Sequence, residues 1–474
     1  MATLAPRRSR TSLSIEPAFV ALGALVAAGV ALRVVLIADY RPAVFSNADS
    51  ARYIHFALEP PGLLNDPFGP TGYSAFLRFA HWIDPHVGFT IVLQHLLGVC
   101  AALLLYGTVR RLGCPRWPAL IAPAVLLLSG DQVYVEHTLL TEAAFIPLLS
   151  GGLYCVARAT SSPRRRAWWL AGGGALLTAA ALVRTVGLVL LPIVLVWLLL
   201  SARARWTLRL RAALPAAAAM VVVIGAYAAI VAAQDGQSGL TDLGGWNSYA
   251  RAAPFAQCGK FDPPAGTEAL CETTPPAHRP GTLFYLWKQG SPARQAFGGP
   301  PRQNALVGRF GRAALVNQPF DYVKTVAHET ERFVNPKAAP GPLSGAGPFR
   351  IDLRSPGIEA LVNRMVDRLY RPTALHVHSG VKTFRDYEKH WRLAGMVPAA
   401  LLALSLAGAL AGLGRTRRGA ALFAAIGVAL IVFPAATLLY IDRYGLPAMA
   451  MLGAGAALGT AALGARISSR AAPG

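Results

Sequence analysis

The sequence predicts an all-α polytopic membrane protein of about ten transmembrane helices, with a mainly α domain outside the cytoplasm. Three observations predict it. The chain is 54% hydrophobic and only 14% charged, where a soluble chain carries roughly 25% charged residues. Apolar runs recur along it, most of them near the roughly 20 residues that a spanning helix needs. The arginine-rich connectors between those runs all fall on one side if each run crosses once, which is the pattern that orients a membrane protein.

The runs are 17–37, 87–109, 117–129, 139–157, 167–183, 185–201, 212–233, 393–413, 419–440 and 445–464. The first follows Arg7, Arg8 and Arg10. It is too long for a signal-peptide core and no small-x-small cleavage site follows it, so it reads as a membrane helix. Residues 167–201 are too many for one helix, and Arg184 at their middle reads as the turn of a tight helical hairpin. The basic connectors are Arg7 to Arg10, Arg110-Arg111, Arg164 to Arg166, the stretch from Arg203 to Arg211, Arg415 to Arg418, and the tail with Arg466 and Arg470. Placing them in the cytoplasm puts both termini there.

The organisation expected is a basic N-terminus (1–16), an N-terminal transmembrane module (17–233) whose first outer loop is 38–86, an extracytoplasmic domain (234–392), C-terminal helices (393–464) and a cytoplasmic tail (465–474). Within the first outer loop, Tyr73 to Trp82 reads as an amphipathic helix at the interface. The long loop keeps Leu, Val, Phe, Tyr and Trp throughout, as a folded segment does. It offers helices from about Asn304 to Phe333 and from about Gly357 to Tyr370. The net charge of +22 invites a nucleic-acid reading, but much of the excess sits in membrane-orienting loops, and no nucleic-acid partner is expected. No Walker motif, HExxH or CxxC is present.

The outer side collects the polar residues that could carry chemistry: Asp49, Glu142, Arg184 and Arg443, with Tyr53, His55 and Tyr444 beside them. An ionisable group against an apolar run costs at least a few kcal/mol unless paired or wet, so Glu142 and Arg184 read first as functional. The plainer readings are a snorkelling arginine, a glutamate favoured at a helix start, a turn-forming Asp49, and an interfacial Arg443. Taken together, two carboxylates and two guanidiniums at the outer membrane surface suit a lipid-linked phosphate. Arginines recognise phosphate bidentately, and a carboxylate could take the proton from an acceptor hydroxyl attacking a sugar carbon. A phosphodiester leaving group needs no strong general acid.

The order of these features resembles the GT-C type membrane glycosyltransferases, in particular the dolichyl-phosphate-mannose protein mannosyltransferase and aminoarabinose transferase group. The residues carrying the resemblance are Ala48 to Tyr53, Leu140 to Phe145, Leu182 to Pro192 and Asp442 to Pro447. It implies an inverting transferase that takes a sugar from a polyprenyl-phosphate donor to a glycan, lipid or protein acceptor. Asp49 and Glu142 would be catalytic, and Arg184, Arg443 and Tyr444 would bind substrate; Tyr53 and His55, close after Asp49 in sequence, could line the pocket and bind substrate too, the plainer reading of a lone His being a satisfied hydrogen-bonding residue. The chain departs from the protein mannosyltransferases in following Asp49 with Ser50 rather than a second acid.

No cofactor is firmly implied. Asp131, Glu136 and His137 could complete a site with Asp49 for a divalent cation, Mg or Mn, which prefers oxygen ligands. Cys258 and Cys271 are expected to form a disulfide if the long loop lies outside. Trp246, Tyr249 and Trp287 could stack on sugars or form the loop's own core. A transporter or flippase and a non-catalytic scaffold are the competing classes. A transporter would show charges at mid-membrane and two corresponding halves, and the sequence offers neither.

Overall fold

The computed structural model describes residues 16–45, 48–60, 62–201, 205–235, 240–333, 335, 356–373, 375–391, 396–439 and 441–471. The expected basic N-terminus lies outside them, except for Glu16. The chain is helical almost throughout. Its helices, in order, are α1 (Pro17–Asp39), α2 (Ala48–Leu58), α3 (Gly72–Ile83), α4 (Val87–Arg111), α5 (Ile121–Leu128), α6 (Gly130–Glu136), α7 (Glu142–Ala159), α8 (Arg166–Val183), α9 (Gly187–Ser201) and α10 (Trp206–Asp235). After these come α11 (Gly244–Ala252), α12 (Asn304–Asn317), α13 (Pro319–Glu331), α14 (Pro356–Leu369), α15 (Gly380–His390), α16 (Met396–Ala411), α17 (Gly414–Thr437) and α18 (Leu446–Ala471).

Each of the ten apolar runs holds a helix among the described residues. Among the described residues six helical segments are long and apolar enough to cross a membrane: Pro17–Asp39, Val87–Arg111, Pro163–Val183, Trp206–Ala233, Gly414–Thr437 and Arg443–Ser468. A seventh is the pair Arg116–Leu128 and Gly130–Glu136, bent by 52°. Gly187–Ser201 and Met396–Ala411 are shorter apolar helices. The expected count of about ten therefore exceeds the spans that length and composition support, because hydrophobic content alone does not distinguish a full crossing from a short or broken one.

Helix α18 is the axis of the bundle and α1 and α10 are its periphery. Its sequence, rich in Gly and Ala, lets neighbours approach closely. A Cβ at Gly459 would stand 1.8 Å from the Leu404 carbonyl oxygen of α16, so only glycine permits that contact. By contrast α10 turns Val221 (70% exposed) and Val222 (65% exposed) outward, as a face bathed in hydrocarbon does. In α3, Tyr73, Ser74, Leu77 and Ala80 are buried along one stripe, and Phe79, Trp82 and Ile83 stay exposed.

The long loop divides in two. Residues 243–314 form a separate small core around Trp246, Tyr249, Phe261, Tyr285 and Phe310, joined by the Cys258–Cys271 disulfide. Trp246 and Tyr249 are fully buried there, so they build this core and do not face a sugar; Trp287 remains exposed and packs near the Phe68 ring. The helix expected over Asn304–Phe333 breaks at Gln318, because the Pro319 ring disfavours the α conformation of the residue before it. Residues 356–391 instead join the main core, through Val362, Val366, Tyr370, Val381 and Phe384. They are tied to the first outer loop by a two-stranded antiparallel pair, Tyr40 with Val377 and Arg41 with His376.

Candidate active site

Four separate stretches meet at one end of the bundle. Asp49 is the second residue of α2, where the helix N-terminus favours a negative charge. Its partner is Arg443, which bonds Asp49 Oδ2 from across the chain. Arg443 sits in the short turn Asp442–Gly445 that leads into α18, and it is buried. Desolvation pushes the Asp49 carboxyl up, but the Arg443 guanidinium, with Arg52 and Arg184 behind it, outweighs that and holds it below the usual carboxylate range. The carboxylate still shows 37% of its side chain to solvent.

Glu142 opens α7 and is fully buried. Arg184 Nη1 stands 2.5 Å from Glu142 Oε1 and donates to Thr141 Oγ1 at 2.7 Å. Arg184 ends α8 in an extended conformation, and its carbonyl accepts from the Gly187 amide at 2.8 Å as α9 begins. The hairpin turn thus aims its one charge inward. Tyr444 joins the two pairs: its ring centre lies 4.9 Å from the Arg184 guanidinium and 5.3 Å from that of Arg443, within cation–π range.

Sequence reasoning missed Arg52 and Asp66. Arg52 lies one turn after Asp49 on α2, covers the Tyr53 ring at 4.6 Å and reaches Asp66 at 3.2 Å. The i, i+3 spacing from Asp49 was the available signal; nothing in the sequence marked Asp66. Tyr53 is buried, packed edge-on against Tyr73 with ring centres 5.0 Å apart. Burial pushes its phenol up to about 12, with Arg52 opposing, so it remains a hydrogen-bond donor. His55, six residues after Asp49, falls on the far side of α2, where its Nδ1 meets Glu59 Oε2 at 2.8 Å.

Beneath the site lies a buried polar network that fixes the turn before Glu142. Arg33 of α1 places all its donors: Nε and Nη2 on Glu136 at 2.8 and 2.9 Å, and the others on the Gly29, Leu127 and Leu126 carbonyls. Two of those carbonyls, of Leu126 and Leu127, belong to the last turn of α5, where the chain bends into α6. Glu136 also accepts from Gln132 at 2.9 Å and meets His95 Nδ1 at 3.0 Å. Gln94 donates to the Glu136 and Thr138 carbonyls at 2.9 Å each and accepts from the Tyr73 hydroxyl at 2.7 Å. A Cβ at Gly98 would stand 1.9 Å from Glu136 Oε1, so glycine makes room for this carboxylate.

The same network corrects the metal reading. Glu136 is held by Arg33, and His137 is bonded to His95 and to the Tyr40 carbonyl. Among the described residues no three His, Cys, Asp or Glu side chains gather as a cation site. Glu136 and His137 are thus committed elsewhere and do not fit a divalent ion shared with Asp49.

Residues 70–228 match the family model described as dolichyl-phosphate-mannose-protein mannosyltransferase. The chain resembles this family, as its motifs imply. The matched segment holds Glu142 and Arg184; Asp49 and Arg443 lie outside it and join them only in space. None of the curated proteins matches. Solved structures similar to this chain include the protein O-mannosyltransferase complex of S. cerevisiae bound to the sugar donor, at 16% identity over 47% of this chain and 34% of that one, with a TM-score of 0.33. The oligosaccharyltransferase AglB of Archaeoglobus fulgidus, in complex with an inhibitory peptide and a dolichol-phosphate, matches at 14% identity over 96% of this chain and 52% of that one, TM-score 0.43. ArnT from Cupriavidus metallidurans matches at 14% identity over 96% and 79%, TM-score 0.38. The chain thus spans about a third of the first and about half of the second.

Proposed function

We propose that this chain is an inverting glycosyltransferase that moves a sugar from a polyprenyl-phosphate donor to an acceptor hydroxyl on the extracytoplasmic side of a membrane. The observation that carries this reading is the pair of acid–arginine contacts, Asp49 with Arg443 and Glu142 with Arg184, held around the single Tyr444 ring. The named carboxylates and guanidiniums balance in charge, so an incoming phosphate must share an arginine with a carboxylate.

That exchange supplies the base. The donor phosphate takes planar hydrogen bonds from Arg443 and Arg184. Asp49 then loses part of the attraction that keeps its proton affinity low, and it becomes a better proton acceptor. The acceptor oxygen attacks the anomeric carbon from the face opposite the phosphate, its proton passes to Asp49, and the carbon–oxygen bond to the phosphate breaks. The electron pair leaves on the polyprenyl phosphate, whose new charge the two guanidiniums stabilise. Glu142, buried against Arg184 and Thr141, orients Arg184 and takes no proton. The bilayer admits the lipid donor laterally.

Arg33 is a charge within an apolar helix, which a transporter also requires. Its donors are all committed to Glu136 and to carbonyls, so it acts as a strut between α1, α5 and α6.

The test is transfer from a panel of polyprenyl-phosphate sugars by purified protein in the presence of glycan, lipid and peptide acceptors. Release of polyprenyl phosphate with one sugar donor supports the reading. Failure of the protein to bind any of the donors contradicts it.

A further inference from the structure

At the end of the bundle opposite Asp49 lies a second cationic feature. Helix α9 runs 15 residues from Gly187, beside Arg184, to Ser201, about 22 Å at 1.5 Å per residue. Where it ends, Leu200, Gly414, Arg417, Arg418 and Ala421 line a cavity of about 400 Å³. Arg418 is pinned to α9: its carbonyl accepts from Trp197 Nε1 at 2.7 Å and its Nη1 donates to the Ser201 carbonyl. Arg417 Nε donates to the Ala409 carbonyl at 3.0 Å. Among the described residues neither guanidinium meets a carboxylate. Helix α17 begins at this cavity, at Gly414, with no side-chain cap, and its dipole favours an anion there. Leu200 in the lining is 66% exposed, and Leu413, which precedes Gly414 of the lining in the chain, is 81% exposed.

The geometry points to a binding site for an anionic phospholipid, whose headgroup phosphate is held by Arg417, Arg418 and the start of α17. The exposed leucines select a lipid over free phosphate, because they offer the acyl chains an apolar bed beside the charge. Basic pockets between membrane helices take anionic headgroups in this way. The site is independent of the sugar transfer proposed above.

The test titrates the full-length protein in detergent micelles with phosphatidylglycerol, phosphatidylcholine or inorganic phosphate, and counts bound molecules by native mass spectrometry. Wild type should bind phosphatidylglycerol more tightly than phosphatidylcholine. Arg417→Ala, on an exposed side chain, should weaken phosphatidylglycerol about fivefold, the worth of one surface arginine, and Arg417→Ala with Arg418→Ala should weaken it further. Arg415→Ala, exposed but outside the cavity, should leave it unchanged. Equal affinity in wild type and in a folded Arg417→Ala variant overturns the proposal. Inorganic phosphate that displaces the lipid at equal concentration also overturns it, since the site would then hold a free ion.

Discussion

Arg184 lies over the Tyr444 ring at 4.9 Å while its Nη1 stands 2.5 Å from Glu142. A residue from a hairpin turn, one from the start of α7 and one from the turn before α18 are thereby locked together, and substitution should separate binding from folding. Arg184→Lys keeps a charge opposite Glu142 but loses the planar fork and the stacking. It should raise KM for the lipid donor by about tenfold, roughly one charge-assisted hydrogen bond, with little change in Tm. Arg184→Ala leaves a buried carboxylate without its partner and should cost about 3–5 kcal/mol of stability. Donor titration and thermal unfolding in detergent distinguish the two.

Asp49 gives a pH signature. Its proton affinity is depressed by Arg443 in the free protein, so the carboxylate is ionised at neutral and mildly acidic pH, and activity falls only as pH drops through its lowered pKa. The acid limb of kcat/KM, which reports the free enzyme, should therefore lie below the ordinary aspartate value of about 3.9. Donor phosphate draws Arg443 away and raises the Asp49 pKa, so the acid limb of kcat, which reports the complex, should lie at higher pH. Coincident limbs would refute the exchange of partners.

The Arg33–Glu136 strut predicts a stability pattern. Arg33→Met strands a buried carboxylate and should destabilise by about 3–5 kcal/mol. Adding Glu136→Gln removes the stranded charge, so the double variant should be more stable than Arg33→Met alone. Gly98→Ala should destabilise by itself, because its methyl would collide with the Glu136 carboxylate. Thermal unfolding of wild type, Arg33→Met, Glu136→Gln, the double variant and Gly98→Ala measures this; additive losses from the two single substitutions would show that the pair does not act as a unit.

The disulfide should act locally. Cys258 and Cys271, 13 residues apart, close a loop whose cross-link is worth about 3 kcal/mol in chain entropy. They stand against the small core of 243–314, which is separate from the main core. Cys258→Ser with Cys271→Ser should therefore speed proteolysis within 243–314 and leave donor binding unchanged. Limited proteolysis with mass spectrometry reads both.

Much of the fold was legible because bilayer thickness imposes a run length, and each apolar run holds a helix among the described residues. The residues of the candidate site stood out where a motif carried its charge at a helix end, and the structure brings Asp49, Glu142, Arg184 and Arg443 together. His55 lies near Asp49 in sequence, but helical phase turns it toward Glu59. Arg52 was overlooked although its i, i+3 spacing puts it on the Asp49 face of the helix. Arg33 was absorbed into an apolar run, since a single charge hardly changes mean hydropathy, and its partner Glu136 is more than a hundred residues away. Trp246 and Tyr249 illustrate a further limit: an aromatic in a loop serves a core as readily as a sugar, and only packing decides.

The most direct test of the central claim compares sugar transfer by wild type and Asp49→Asn, each folded to the same Tm and each saturated with the polyprenyl-phosphate donor. The amide keeps the shape of the carboxylate and removes the base. Donor binding should persist and transfer should fall by at least about a hundredfold, the loss expected for a missing general base. Transfer at the wild-type rate by Asp49→Asn would contradict the assignment of Asp49 and the mechanism built on it.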